Sequence, residues 1–204
     1  MKNPRPMCYR CMRPATLCLC DALTPLATRT RFVILIHPKE FTRIKNNTGR
    51  ITHLSLSNSE LLMGLDFTNH TRLNQILNDP KNHCLILYPA PDAQPLETVP
   101  LPQDKTLVIL LIDATWASAR VMLRLSKNLH HLPRISFTHT KPSAYTFKRQ
   151  PFPHALSTIE STHAVLQILQ QRGIETLSDH ALAHFLDPFK QMIQTQLHFC
   201  DRTL

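Results

Sequence analysis

Three short runs of the chain are apolar almost without interruption: RFVILI at residues 31–36, HCLILYP at 83–89 and TLVILLID at 106–113. A strand with one wet face alternates polar and apolar positions, so an unbroken run predicts a strand buried on both faces. RISFTH at 134–139 predicts a further, shorter strand. Between these runs the hydrophobic period lengthens to that of a helix, in TRLNQILND at 71–79 and in WASARVMLRLS at 116–126. A longer helix begins near Thr158 and continues through HAVLQILQQRG, with Gly173 as its C-cap. SDHALAHFLDPFKQMIQTQLHF predicts one or two C-terminal helices, interrupted or kinked at Pro188. ITHLSLSNSELLMGL at 51–65 is mixed and reads as a short helix followed by a short strand. KEFTRIKNNTGR at 39–50, the proline-rich 89–102 and the polar 140–157 read as loops. Buried strands alternating with helices predict an α/β fold, a mostly parallel sheet with helices on both faces.

Ligands of such sheets bind beyond the carboxyl ends of the strands. Three of the predicted strand ends carry polar or aromatic residues: His37-Pro38, Tyr88-Pro89 and Asp113-Ala114-Thr115-Trp116. A crevice lined by all three follows. Asp113 or Thr115 also suits the cap of the next helix, and Trp116, the only tryptophan, suits packing on the sheet. A chemical reading of the same residues has a helix N-terminus receiving an anion, with Arg120 and Arg124 one and two turns on, and the indole stacking on a base or facing a sulfonium cation. Gly49, one of three glycines, predicts a tight turn or close approach of a ligand in its loop. Ser157 or Thr158 suits the cap of the late helix, with Glu160 in its first turn.

Four of the six cysteines fall in the first 20 residues, in CYRCMRPATLCLC. Cys8, Cys11, Cys18 and Cys20 therefore predict a tetrahedral thiolate site for zinc in a small knuckle over residues 1–25, ahead of the domain at 26–204. Cys84 and Cys200 lie outside that pattern. No stretch of about 18 apolar residues is present, so no membrane span is expected. MKNPRPMCYRC lacks the apolar core of a secretory signal, and a cytoplasmic protein is expected. The formal net charge of +9, with twelve histidines besides, favours a polyanion such as nucleic acid, or serves solubility as a wet surface.

Taken in order, five segments resemble the DTW-domain family, named for the D-x-T-W motif that stands here as Asp113-Ala114-Thr115-Trp116. CYRCMRP…CLC resembles the family's cysteine knuckle, HPKEFTRIKNNTGR its H-P-x-E…N-T-G-R segment, LILYP its strand ending in Tyr-Pro, LIDATWASAR its signature, and LSTIES the S-T-x-E segment that opens a late helix. The chain departs in having Ala114 where glycine is common and Ser161 where alanine is common. The resemblance implies a fold related to the SPOUT methyltransferases, with a knotted C-terminal part. It implies transfer of the 3-amino-3-carboxypropyl group from S-adenosylmethionine to N3 of a uridine in tRNA, which in bacterial members is position 47 of the variable loop.

On that resemblance Asp113 is the expected base for the N3 proton. The donor site is expected to involve Tyr88, Pro89, Asp113, Thr115, Trp116, Arg120, Ser157, Thr158 and Glu160. The tRNA side is expected to involve His37, Glu40, Arg43, Asn47, Thr48 and Arg50. Arg120, Arg50 or Lys39 would meet the methionine carboxylate or tRNA phosphates. Lys2, Arg5, Arg10, Arg13, Lys141, Lys148 and Arg149 are further candidates for phosphate contacts. The partners expected are tRNA and the donor, with no membrane and no obligate protein partner. Methyl transfer, transfer to ribosomal RNA, and a non-catalytic zinc-containing RNA-binding module are the competing readings.

Overall fold

The computed structural model describes residues 6–43, 46–140, 142–144 and 155–201, with the backbone alone for Arg43 and residues 199–201. The knuckle opens with an antiparallel pair, β1 (Met7–Cys8) and β2 (Arg13–Pro14), followed by 3₁₀ turns at Ala15–Leu17 and Cys20–Ala22. The body follows as β3 (Arg31–Ile36), α1 (Pro38–Arg43), α2 (Thr48–Leu54), β4 (Ser59–Met63), α3 (Thr71–Asn78), β5 (Asn82–Leu87), β6 (Gln94–Pro95) and β7 (Thr106–Asp113). It continues through α4 (Trp116–Leu125), β8 (Arg134–Ser136), α5 (Thr158–Gln171), α6 (Asp179–His184) and α7 (Asp187–Asp201).

The six body strands form one sheet in the order β4-β3-β7-β5-β8-β6, and all of its pairings are parallel. The apolar runs lie in its middle because each has to satisfy two cores. Phe32 and Ile34 of β3, Leu85 of β5, and Ile109 and Leu111 of β7 face α2, α5, α6 and α7. The alternate residues Val33, Leu35, Ile86, Val108 and Leu110 face α3 and α4. One strand thus needs apolar side chains at both parities, which is why no alternation is visible in the sequence.

Two stretches differ from the sequence expectation. Residues 39–50, read there as a polar loop, are mostly helical: α1 occupies 38–43, and α2 begins at Thr48. Asn47 caps α2 by accepting the Arg50 amide at 2.7 Å. These helices bury Ile51 and Thr52 but are too short to show a helical period. Pro188 lies in the first turn of α7 and does not kink a helix; the chain breaks earlier, between His184 and Asp187. Proline is tolerated in a first turn because the amide it lacks has no helical partner there.

The knuckle is seated on the body. Leu19 is 2% exposed and belongs to the core that α5 and α7 also fill. Leu26 then bridges to Leu56, donating to the Ser55 carbonyl and accepting from the Ser57 amide. Among the described residues, no helix is long and apolar enough to cross a membrane.

At the end of α5, Gly173 has φ +71°, and the Gly173 and Ile174 amides donate to the Gln170 and Leu169 carbonyls. This is a Schellman closure, which requires the left-handed conformation. A Cβ at Gly173 would meet no atom within 4 Å, so Gly173→Ala carries only the backbone penalty. We expect a loss of about 1–2 kcal/mol, read from the urea unfolding midpoint.

Candidate functional site

Register brings the ends of the central strands level. Ile36 pairs with Asp113, and Leu87 pairs with both Leu111 and Ile135. Of the residues that follow these positions, Tyr88, Ala114 and Ser136 line a cavity of about 860 Å³; His37 and Pro38 do not, so the expected crevice takes in two of the three predicted strand ends. Small-molecule sites span roughly 300–1,000 Å³, so this one has room for a nucleoside-sized ligand together with a base.

Asp113 anchors the cavity. It ends β7 at the parity of Ile109 and Leu111, so its carboxylate turns toward α2 and α5 and is 6% exposed. Oδ2 accepts the Asn47 amide at 2.6 Å, and Oδ1 accepts the Thr158 hydroxyl at 2.5 Å. A buried carboxylate costs several kcal/mol in lost hydration, an amount of the order that such short charge-assisted bonds offset. Gly49 makes this approach possible. A Cβ there would stand 2.5 Å from Asp113 Cγ and Oδ2. The close approach read from Gly49 in the sequence is thus made by the chain's own aspartate.

The two helix-capping candidates in the D-x-T-W stretch separate cleanly. Thr115 is the N-cap of α4 and accepts the Ser118 amide at 3.3 Å, while Asp113 looks across the sheet. Trp116 opens the helix at the cavity rim, its ring centroid 5.9 Å from that of Tyr88 at an interplanar angle of 49°. With Pro89 they line the cavity, as do Ser157 and Thr158 at the start of α5.

Of the residues expected at a donor site, Tyr88, Pro89, Asp113, Thr115, Trp116, Ser157 and Thr158 line the cavity, and Arg120 and Glu160 do not. Arg120 is exposed, one helical turn of about 5.4 Å beyond Trp116. Glu160 works from behind: its carboxylate accepts the Ser157 amide and hydroxyl, the Ser143 hydroxyl and the Ala144 amide. It thereby ties residues 143 and 144 to the start of α5.

Of the residues expected on the RNA side, Glu40, Asn47 and Thr48 line the cavity and are buried. His37 uses its backbone amide on the Asp113 carbonyl at 3.1 Å and its Nδ1 to accept the Lys39 amide. Arg50 donates to the Phe41 carbonyl, its guanidinium 4.4 Å from the centre of the Phe41 ring, so it is engaged within the α1–α2 corner. The side chain of Arg43 and residues Lys2, Arg5, Lys141, Lys148 and Arg149 lie outside the described residues.

Arg13 is not the phosphate contact that its place among basic residues suggested. It is 4% exposed, its Nε donates to the Leu17 carbonyl, and its Nη1 donates to Asn46 Oδ1 at 3.0 Å. Asn46, which the sequence did not single out, in turn donates to Gln196 of α7 and lines the cavity. Ser136 at the end of β8, and Phe137 and His139 beyond it, also line it and were missed. The signal was available, since His139 follows its strand much as His37 follows β3.

The four knuckle sulfurs lie within 4.8 Å of one another, with Cys8–Cys20 at 3.6 Å and Cys11–Cys18 at 3.8 Å. A tetrahedron with zinc–sulfur bonds of about 2.3 Å requires sulfurs about 3.8 Å apart, so the set fits zinc. The Cys11 and Arg10 amides pull the Cys8 thiol down to about 6, while burial raises that of Cys20. A dication would resolve that conflict by holding all four as thiolates. Four protein ligands leave no open position, so such an ion is structural.

The DTW domain family matches residues 5–197. The chain is 34% identical to a tRNA-uridine aminocarboxypropyltransferase 2 of Drosophila melanogaster, over 83% of this chain and 69% of that one. It is 30% identical to the protein of the same name from Mus musculus and 29% to that from Macaca fascicularis, covering 83% of this chain in both comparisons. It spans 58% of the length of these two mammalian relatives. No solved structure matches the chain significantly.

Two outcomes follow from this geometry. Gly49→Ala forces α2 away from Asp113, and we expect a loss of about 1–3 kcal/mol in urea unfolding. Elemental analysis of the purified protein is expected to give one zinc per chain, and Cys11→Ser to lower both the zinc content and the melting temperature, since Leu19 and Arg13 tie the knuckle to the core.

Proposed function

The chain belongs to the DTW-domain family, and from that membership we propose that it transfers the 3-amino-3-carboxypropyl group of S-adenosylmethionine to N3 of a uridine in the tRNA variable loop, position 47 in tRNA numbering, in the cytoplasm. The observation that carries the reading is the cavity at the ends of the parallel strands, with a buried carboxylate on one side and the Tyr88–Trp116 pair on the other. The names of the relatives agree with it. The chain's charge of +9 suits a polyanionic substrate.

The donor supplies a sulfonium beside three carbons, and this reaction takes the γ-carbon of the methionine chain: the N3–carbon bond forms, the carbon–sulfur bond breaks, and methylthioadenosine leaves with the sulfur electron pair. What the protein contributes is position. Trp116, Tyr88 and Pro89 hold the flat and cationic parts of the donor. Thr115, Ser157 and Thr158 complete its wall, while Glu160 fixes Ser157. Because methyl and aminocarboxypropyl transfer share a donor, orientation in this cavity decides between them.

Asp113 takes the N3 proton. Asn47 and Thr158 each give its carboxylate one bond, which fixes its position in the cavity lining. Glu40, Asn47 and Thr48 stand on the uridine side, with His37 and Arg50 holding the segment that carries them. Arg120 and Lys39, both exposed, are placed to meet phosphate from outside the cavity. The reading includes a SPOUT-type knot in the C-terminal part. What supports it is membership of the family.

The test is mass spectrometry of nucleosides from unmodified tRNA incubated with the protein and S-adenosylmethionine. We expect a uridine carrying the aminocarboxypropyl group, with methylthioadenosine released. A methylated uridine would replace this reading with methyl transfer, product only on ribosomal RNA would change the substrate, and donor binding without any product would leave an RNA-binding module. Asp113→Asn is expected to keep tRNA affinity and to lose at least about a hundredfold in turnover; near-normal turnover would remove Asp113 as the base.

A further inference from the structure

The knuckle has two faces of opposite character. One is turned to the body, where Leu19 is in the core and Arg13 is buried against Asn46. The other presents Met7, Tyr9 and Met12, which are 40%, 91% and 48% exposed. Only three other large hydrophobic side chains among the described residues are so exposed, and none is an aromatic. Arg10 stands between Tyr9 and Cys11 and is also exposed. The turn that carries this face is stiff: Met12 has φ +57°, and its amide closes on the Cys8 carbonyl at 2.8 Å. A tyrosine held almost wholly in water adds nothing to the core, and its hydrophobic ring is left unburied.

We propose that this outer face of the knuckle is a docking surface for RNA, with Tyr9 stacking on an unpaired tRNA base and Arg10 meeting the adjoining phosphate. Charge complementarity selects this occupant. A guanidinium beside a bare aromatic ring, on a chain with a net charge of +9, matches a splayed single-stranded base on a phosphate backbone. The inference rests on tRNA being the substrate. It adds a contact outside the cavity, on an element whose four cysteines would close around a metal and leave it no catalytic opening. The knuckle is joined to the cavity through one polar chain, since Arg13 holds Asn46 and Asn46 lines the cavity. A base held at Tyr9 is thereby held at a fixed place relative to Asp113, so the knuckle gauges where along the tRNA the reactive uridine falls.

The experiment compares full-length wild type, Tyr9→Ala, Tyr9→Phe and Arg10→Gln, matched for zinc content and melting temperature. Each is titrated against unmodified tRNA by fluorescence anisotropy at several salt concentrations, and transfer is assayed at saturating donor. We expect Tyr9→Ala to weaken tRNA binding by about tenfold, with an unchanged salt slope, and Tyr9→Phe to bind within about twofold of wild type. Arg10→Gln is expected to lower the salt slope by about one. The KM for tRNA rises in Tyr9→Ala while kcat holds.

Wild-type affinity in Tyr9→Ala, as a surface for a protein partner would give, overturns the proposal. So does a wild type that binds no tRNA, or a fall in kcat without a loss of affinity. Binding and transfer are read separately. Tyr9-dependent binding without aminocarboxypropyl transfer leaves the docking surface standing and removes the proposed reaction, and intact transfer with Tyr9-independent binding does the reverse.

Discussion

The architecture turns on a buried carboxylate and the missing side chain opposite it. Asp113 sits at the end of the central strand, where a charge is costly, and is kept there by donors from two different helices. Asn47 is at once the cap of α2 and a donor to Asp113, so one amide side chain starts a helix and fastens it to the sheet. Thr158, the first residue of α5, donates to Asp113 from the other side, while its neighbour Ser157 caps that helix. Gly49 lets α2 come close enough for the first of these bonds to exist. Removing any one of them leaves a buried polar group short of a partner, which is more costly than the bond itself is favourable.

This arrangement explains how a wide cavity survives in a molecule of this size. The helices on the α2/α5 face pack on apolar residues lower in the strands, such as Ile34, Ile109 and Leu111. At the strand ends that packing gives way to polar contacts, with Asn47 before α2 and Thr158 of α5 meeting on Asp113. The opposite rim is fixed differently, by the Tyr88–Trp116 pair and by Thr115 at the start of α4. A site built at helix and strand ends keeps its shape because its lining residues lie in or directly beside those elements.

The knuckle takes part in the same network. Arg13 reaches Asn46, and Asn46 reaches Gln196, so a change in the cysteine cluster is felt next to Asn47 and at α7. The sequence presents the cysteine cluster as an appendage to the domain that follows. Leu19 and Arg13 instead make its inner side part of the main structure, and leave only its outer side for an encounter with another molecule.

By itself the sequence determined the α/β class, the three central strands, the main helices, the cysteine tetrad and two of the strand ends that border the cavity, at Tyr88-Pro89 and at Asp113 to Trp116. These are local matters of periodicity, spacing and capping, and they can be read within windows of about 18 residues or fewer. It did determine a short helix and strand in 51–65, but not that α1 is a helix or that α2 begins as early as Thr48, because these few residues are stabilised by docking on the sheet and not by a long amphipathic face. Nor did it separate Arg13 from the solvent-facing basic residues, or find Asn46, Phe137 and His139 at the cavity. Gly49 suggested a close approach without saying to what. Its partner lies 64 positions away at Asp113, and only the parallel pairing of β3 with β7 brings the two together. Tertiary structure decides such matters because contacts across that distance depend on strand order and register, which no local pattern encodes.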